Sequence, residues 1–147
     1  MPLTLDMAKD VFHDMVRLAL QQAGWTITHD PYPIRLLGLD LDVDLGAERM
    51  IAAEKIENNH VEKIAVEVNS FLSVSFMRDF HNAIGQYTNY RLLMEEQEKD
   101  RILFLAVPKS VYDRRFHVPG VQLICERANI HLVIFDENTQ TIEQWEK

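Results

Sequence analysis

Three aspartates at alternate positions, Asp40, Asp42 and Asp44, precede a glutamate, Glu67, that is the one acid in an otherwise apolar run, Ile64–Val68. Carboxylates brought together from two chain segments can hold a divalent cation. Mg²⁺ suits such a pair, because it takes oxygen ligands and keeps several waters beside a phosphate substrate. Side chains alternate faces along a strand. In residues 39–45, Asp40, Asp42 and Asp44 therefore share one face, and Leu39, Leu41, Val43 and Leu45 share the other. In residues 63–69, Ile64, Val66 and Val68 share one face, opposite Lys63, Ala65, Glu67 and Asn69. If the two strands are neighbours, Glu67 meets one of the aspartates. The same pattern also fits a solvated aspartate face, with Glu67 paired to Arg49, Lys55 or Arg78.

Other groups carry weaker signals. Asp10, His13, Asp14 and Arg17 lie on the polar side of a first helix, which reads as a solvated face. Arg78 and His81 open a long helix and could touch phosphate. Lys109, Arg114 and Arg115 form a short basic patch. Cys125 lies in an apolar stretch and reads as core. The six His have no paired ligand spacing, which argues against zinc. No Gly-rich phosphate loop and no Gly-x-Ser-x-Gly elbow is present.

The elements that must position the acids follow from periodicity. Val11, Phe12, Met15, Val16, Ala19, Leu20 and Ala23 make a helical stripe over residues 5–23, stopped by Gly24. Residues 25–45 read as a strand, an irregular stretch around Pro31 and Pro33, and a strand over 39–45. Residues 50–54 read as a short strand, 55–62 as a polar turn and 63–71 as a strong strand. Phe76, Phe80, Ala83, Ile84, Tyr87, Arg91 and Met94 predict a helix over 75–98, with Glu95, Glu96 and Glu98 at a solvated end. An apolar strand over 101–107 stops at Pro108. One or two helices over 109–129, a strand over 130–135 and an edge strand over 141–145 complete the chain. This order predicts an α/β protein with a mixed β-sheet flanked by helices, in one domain over 1–147.

The chain of 147 residues has a net charge of −8 and one Cys. One Cys excludes a disulfide framework. The acidic balance argues against a protein that coats DNA. No apolar run reaches the roughly 20 residues of a membrane span, and no signal peptide is evident at Met1–Asp10. The expected location is cytoplasmic.

Several segments together resemble the XisH family. They are Asp44-Leu45-Gly46-Ala47-Glu48, Ile51-Ala52-Ala53-Glu54-Lys55, Lys63-Ile64-Ala65-Val66-Glu67-Val68-Asn69-Ser70-Phe71, Phe80-His81-Asn82-Ala83-Ile84-Gly85-Gln86-Tyr87, Tyr90-Arg91 and Leu105-Ala106-Val107-Pro108. Lys9-Asp10-Val11-Phe12-His13 and Gly24-Trp25-Thr26-Ile27-Thr28-His29-Asp30-Pro31 extend the likeness over nearly the whole chain. The resemblance implies an fdxN element excision controlling factor, acting in the DNA rearrangement that accompanies heterocyst differentiation in cyanobacteria. It implies an XisI-like partner, a site-specific recombinase and DNA as associates. The net charge of −8 in turn predicts weak DNA binding by the chain alone, and whether the chain forms a homo-oligomer is left open by the sequence. It also implies a restriction-endonuclease-like core of the PD-(D/E)XK type, a fold in which an acid on the first helix can join the metal shell, with Asp10 and His13 as the candidates here. There Asp44 and Glu67 match the metal-binding acids, with Asp42 and Asp40 as alternatives to Asp44. Asn69 stands where that pattern has Lys, so the chain is expected to be an accessory factor with an attenuated nuclease site. The alternative is an active Mg²⁺-dependent endonuclease, with Lys63 reaching back to serve as the Lys. Gln86 and Tyr90 match a Gln-x-x-x-Tyr of RecB-like nucleases, and their spacing puts both side chains on one helix face.

Overall fold

Val16, Ala19 and Leu20 form the buried stripe of α1 (Leu5–Gln22). The helix ends at Gly24, whose φ of +94° suits a residue without a Cβ. Two reverse hydrogen bonds close the turn, Trp25 N to Leu20 O at 3.0 Å and Gly24 N to Gln21 O at 3.1 Å. Trp25 is thereby turned into the core. The computed structural model describes residues 5–51 and 60–147.

β1 (Thr26–His29), β4 (Leu45–Ile51), β5 (His60–Val68), β6 (Arg101–Pro108), β7 (Leu132–Asp136) and β8 (Thr141–Glu146) build a six-stranded sheet. Their order is β1-β4-β5-β6-β7-β8, with β5, β6 and β7 parallel and the other pairings antiparallel. β2 (Tyr32–Leu36) and β3 (Leu39–Val43) form a separate hairpin. Its two-residue turn, Leu37 and Gly38, has positive φ at both positions, the geometry that matches strand twist. α2 (Phe76–Gln97), α3 (Lys109–Arg115) and α4 (Pro119–Arg127) complete the fold. The predicted α/β class and mixed sheet flanked by helices are therefore observed.

Period-two alternation divides the core into two layers. Ile64, Val66, Val68, Phe104, Ala106, Val133 and Phe135 pack with Val16 and Leu20 of α1. Ala65, Leu103, Leu105, Val107 and Ile134 pack with α2, α3, α4 and the β2–β3 hairpin. The hairpin contributes Tyr32, Ile34 and Val43.

The expected strand over 39–45 does not run straight through. Val43 is buried in the α2 layer and Leu45 in the α1 layer, so the chain changes faces at Asp44. Residues 39–43 leave the main sheet for the hairpin, and residues 45–51 enter it beside β5. The expected short strand over 50–54 is instead the end of β4 at Met50 and Ile51, with 52–54 outside the described residues. The expected turn over 55–62 is replaced at 60–62 by the start of β5, and 55–59 also lie outside the described residues. β5 ends at Val68, three residues before the predicted limit, because the chain turns at Asn69 and Phe71 takes φ +52°.

One buried cation locks the hairpin onto the rest. Arg101 is 5% exposed. Its Nε donates to Glu98 Oε1 at 2.7 Å, one terminal nitrogen donates to Ile64 O at 2.9 Å, and the other reaches Glu48 at 3.3 Å. The guanidinium lies over the Tyr32 ring at 4.6 Å, and the Tyr32 hydroxyl donates to Glu98 at 2.7 Å. Glu98 is thus not the solvated helix end that its acidic neighbours suggested. Its hydrogen bond with Arg101 holds its carboxyl down at about 2, against an ordinary 4.5.

A carboxyl with a lowered folded pKa contributes stability that is complete above its unfolded pKa and lost as pH falls through the folded value. Glu98→Gln is expected to cost about 1–2 kcal/mol at pH 7, the value of a charged hydrogen bond discounted for partial exposure. The deficit should shrink between pH 4.5 and 2 as the wild-type carboxylate is protonated. Urea melts of both proteins across that range check this, and a pH-independent deficit would contradict it.

Candidate functional site

The face change at Asp44 is what brings the acids together. Asp44 N donates to Glu67 Oε1 at 3.3 Å, and Val68 N donates to Asp44 Oδ2 at 2.8 Å. Each carboxylate is held by the backbone of the other strand. Glu67 lies at the carboxyl end of β5, between β4 and β6 and on the α2 side of the sheet.

α2 supplies the opposite wall. Ser75 caps its start by accepting from Arg78 N at 3.2 Å, and Phe80, Ala83, Tyr87, Tyr90 and Met94 bury one stripe. Tyr87 fixes the helix laterally. Its hydroxyl donates to Leu103 O at 2.7 Å and accepts from His131 N at 3.0 Å. Gln86 and Tyr90 then project toward Glu67. Asp44, Glu67, Asn69, Gln86 and Tyr90, the five residues singled out in the sequence, all line one open cleft of about 320 Å³. Asp42, Asp79 and Lys9 line it as well.

The electrostatics of the cleft are those of an acid pair short of positive charge. Glu67 is only 9% exposed. Burial and the neighbouring Asp44 carboxyl push its pKa up to about 9. Burial, reinforced by Glu67, pushes the Tyr90 phenol up to about 12, so it stays neutral. The cations considered as partners of Glu67 are elsewhere. Arg49 pairs with Glu62 at 3.0 Å, Arg78 forms no ion pair with Glu67, and Lys55 lies outside the described residues.

Of the three aspartates, Asp44 is the one beside Glu67. Asp40 and Asp42 pair with Arg35 at 2.5 and 3.1 Å, across the hairpin register. Among the described residues no group of three or more His, Cys, Asp or Glu is placed to hold a metal. Two carboxylates opening on a wet cleft fit Mg²⁺, which commonly takes one or two protein carboxylates with waters and phosphate oxygens. They do not fit a closed zinc site.

Asn69 serves the backbone. Its Oδ1 accepts from Phe71 N at 2.9 Å, an Asx turn that ends β5 and shapes the loop. Lys63 does not reach back to the site, because Glu98 and Asp100 hold it at 3.6 Å each. On α1, His13 and Arg17 both bind Asp30, and neither Asp10 nor His13 lines the cleft. The basic patch is committed locally, with Lys109 on Asp113 and Arg114 on Ser110 O. Arg78 and His81 also lie outside the cleft lining, and Cys125 packs against the core. Besides Asp79, the charged cleft residue that motif reading did not single out is Lys9. It is exposed on α1, and only the packing of α1 against the sheet directs it here.

A raised folded pKa makes Glu67 a liability as pH rises. Between about 4.5 and 9 the unfolded chain releases this proton while the folded chain retains it, so stability falls with pH. In buffer with EDTA at pH 8, Glu67→Gln is expected to raise Tm by about 2–4 °C, the shift produced by ~1 kcal/mol in a chain of this size. It should also flatten the Tm–pH slope. A lowered Tm with an unchanged slope would contradict this.

Comparison with known proteins bears on the family and the fold. The family model for the XisH protein matches residues 7–143. A solved XisH family protein from Nostoc punctiforme is 37% identical, with 94% of this chain and 100% of that one covered and a TM-score of 0.83. A solved fdxN element excision controlling factor protein from Anabaena variabilis is also 37% identical, with 94% and 99% covered and a TM-score of 0.81. No curated protein matches the chain. With a family model spanning most of its length and two solved members of like fold, the chain belongs to the XisH family.

Proposed function

We propose that this protein is an excision controlling factor that engages DNA through a divalent-cation site at Asp44 and Glu67, on a restriction-endonuclease-like scaffold whose cleaving power is attenuated at Asn69. The observation that carries this reading is the convergence of five residues in one cleft around an acid pair that no cation among the described residues ion-pairs. In the family setting, the process served is programmed removal of a DNA element, as in heterocyst differentiation, together with a recombinase and an XisI-like partner.

Asp44 and Glu67 would hold Mg²⁺, which when bound neutralises phosphate charge and lowers the pKa of a coordinated water. The chain's own residues do the rest. The two backbone hydrogen bonds between Asp44 and the end of β5 fix the distance between the carboxyls. Tyr90 stays a neutral phenol and orients Glu67, and Gln86, one turn earlier and exposed, offers an amide to the ligand. Asn69 contributes an amide donor without charge, since its oxygen is committed to Phe71 N. A Lys at this position would stabilise the charge that develops on an attacked phosphate. Losing an oriented donor of this kind typically costs about 10²–10³ in rate.

A supercoiled-plasmid assay with Mg²⁺ and Mn²⁺ tests the proposal. The wild-type chain is expected to nick slowly or not at all. Asn69→Lys should gain at least about tenfold, a fraction of the effect cited for such donors, and adding Glu67→Ala should abolish the gain. Efficient wild-type cleavage lost in Glu67→Ala would instead establish an active endonuclease. No response to either substitution would contradict the site itself.

A further inference from the structure

We propose that Lys9 of α1 is the phosphate-contacting residue of the Asp44–Glu67 cleft, supplying for a DNA phosphodiester the positive charge that Asn69 does not. The inference rests on the reading of that cleft as a DNA site and adds the residue that receives the anion.

The first argument is placement. Lys9 is the one cation among the described residues that line the cleft, whose acids are Asp42, Asp44, Glu67 and Asp79. Its backbone is held by the neighbouring Ala8, which is 1% exposed. The same helix is pinned further along by His13 and Arg17, which both bind Asp30. The ammonium therefore extends from a fixed base on a flexible stem.

The second argument is availability. Lys63 and Lys109, and Arg17, Arg35, Arg49, Arg91 and Arg101, are each committed to an acid. Lys9 makes no hydrogen bond or ion pair among the described residues, although its charge is felt at Glu67, where it favours the ionised carboxyl. An ammonium that lines the same cleft as the acids without pairing to them is available to an anion. A divalent cation held by the carboxylates and the Lys9 ammonium would both favour a phosphate in this cleft. Lys suits this role as a compact charge with three donors. It also answers how a chain of net charge −8 admits a polyanion: the attraction is local and depends on the cation.

Fluorescence anisotropy with a short labelled DNA duplex in Ca²⁺, over a series of salt concentrations, tests the assignment. Lys9→Met is expected to weaken binding about five- to tenfold and to reduce the slope of log K against log salt by about 1, the signature of one lost phosphate contact. Its Tm should match wild type, Lys9→Arg should bind nearly as wild type, and Asn69→Lys should restore binding to Lys9→Met. If wild type shows Ca²⁺-dependent binding that Glu67→Gln abolishes, and Lys9→Met leaves affinity and slope unchanged, the Lys9 assignment is wrong while the cleft reading stands. If wild type shows no Ca²⁺-dependent binding at all, both fall.

Discussion

Glu67 and Asp44 are held side by side where water reaches one of them poorly. Two carboxylates at such a place repel each other more strongly than they would in water, and burial penalises each charge. The fold nevertheless fixes them with hydrogen bonds from backbone on both strands. It does so at the carboxyl end of a strand in the parallel part of the sheet, beyond which open α/β sheets commonly place their ligands. Among the chain's own groups, the conflict is met by keeping a proton on Glu67, with Lys9 offsetting part of it. On the proposed reading, a divalent cation would relieve it and let an anion enter. The chemistry assigned to the cleft follows from that imbalance.

The surrounding structure holds the conflict in place. The β2–β3 hairpin covers the α2 side of the sheet and delivers Asp44 at its exit. The hairpin is in turn fastened by Tyr32, which reaches Glu98 and lies under Arg101. α2 is fixed at its start by Ser75 and at its middle by Tyr87. Gln86 and Tyr90 therefore face Glu67 from a rigid wall, and Asn69 and Phe71 shape the loop between strand and helix. Damage to the Arg101 network should loosen the site as well as the fold, since both depend on the seating of the hairpin.

Much of this could be read in the chain. Glu67 announced itself as the lone acid in a strand core, and strand parity placed Asn69 on its face and Val66 and Val68 on the other. The row from Phe80 to Met94 gave α2 and, with it, the direction of Gln86 and Tyr90. What escaped reading depends on partners distant in sequence. The reversal at Asp44 arises because Val43 and Leu45 find different layers, and an unbroken alternation of Leu and Asp gives no hint of it. Arg101 looked like the polar start of a strand, yet it is buried because Glu98, Glu48 and the Ile64 carbonyl converge on it. Lys9 was not singled out, because its relation to β5 exists only once α1 is packed.

The central claim is that Asp44 and Glu67 together hold a divalent cation. The most direct measurement is the anomalous diffraction of crystals soaked in Mn²⁺, for wild type and Glu67→Gln. A single Mn²⁺ ligated by both Asp44 and Glu67, absent from the variant, is the predicted result. Mn²⁺ bound only elsewhere, with the two carboxyls still in contact through a shared proton at saturating metal, would contradict it.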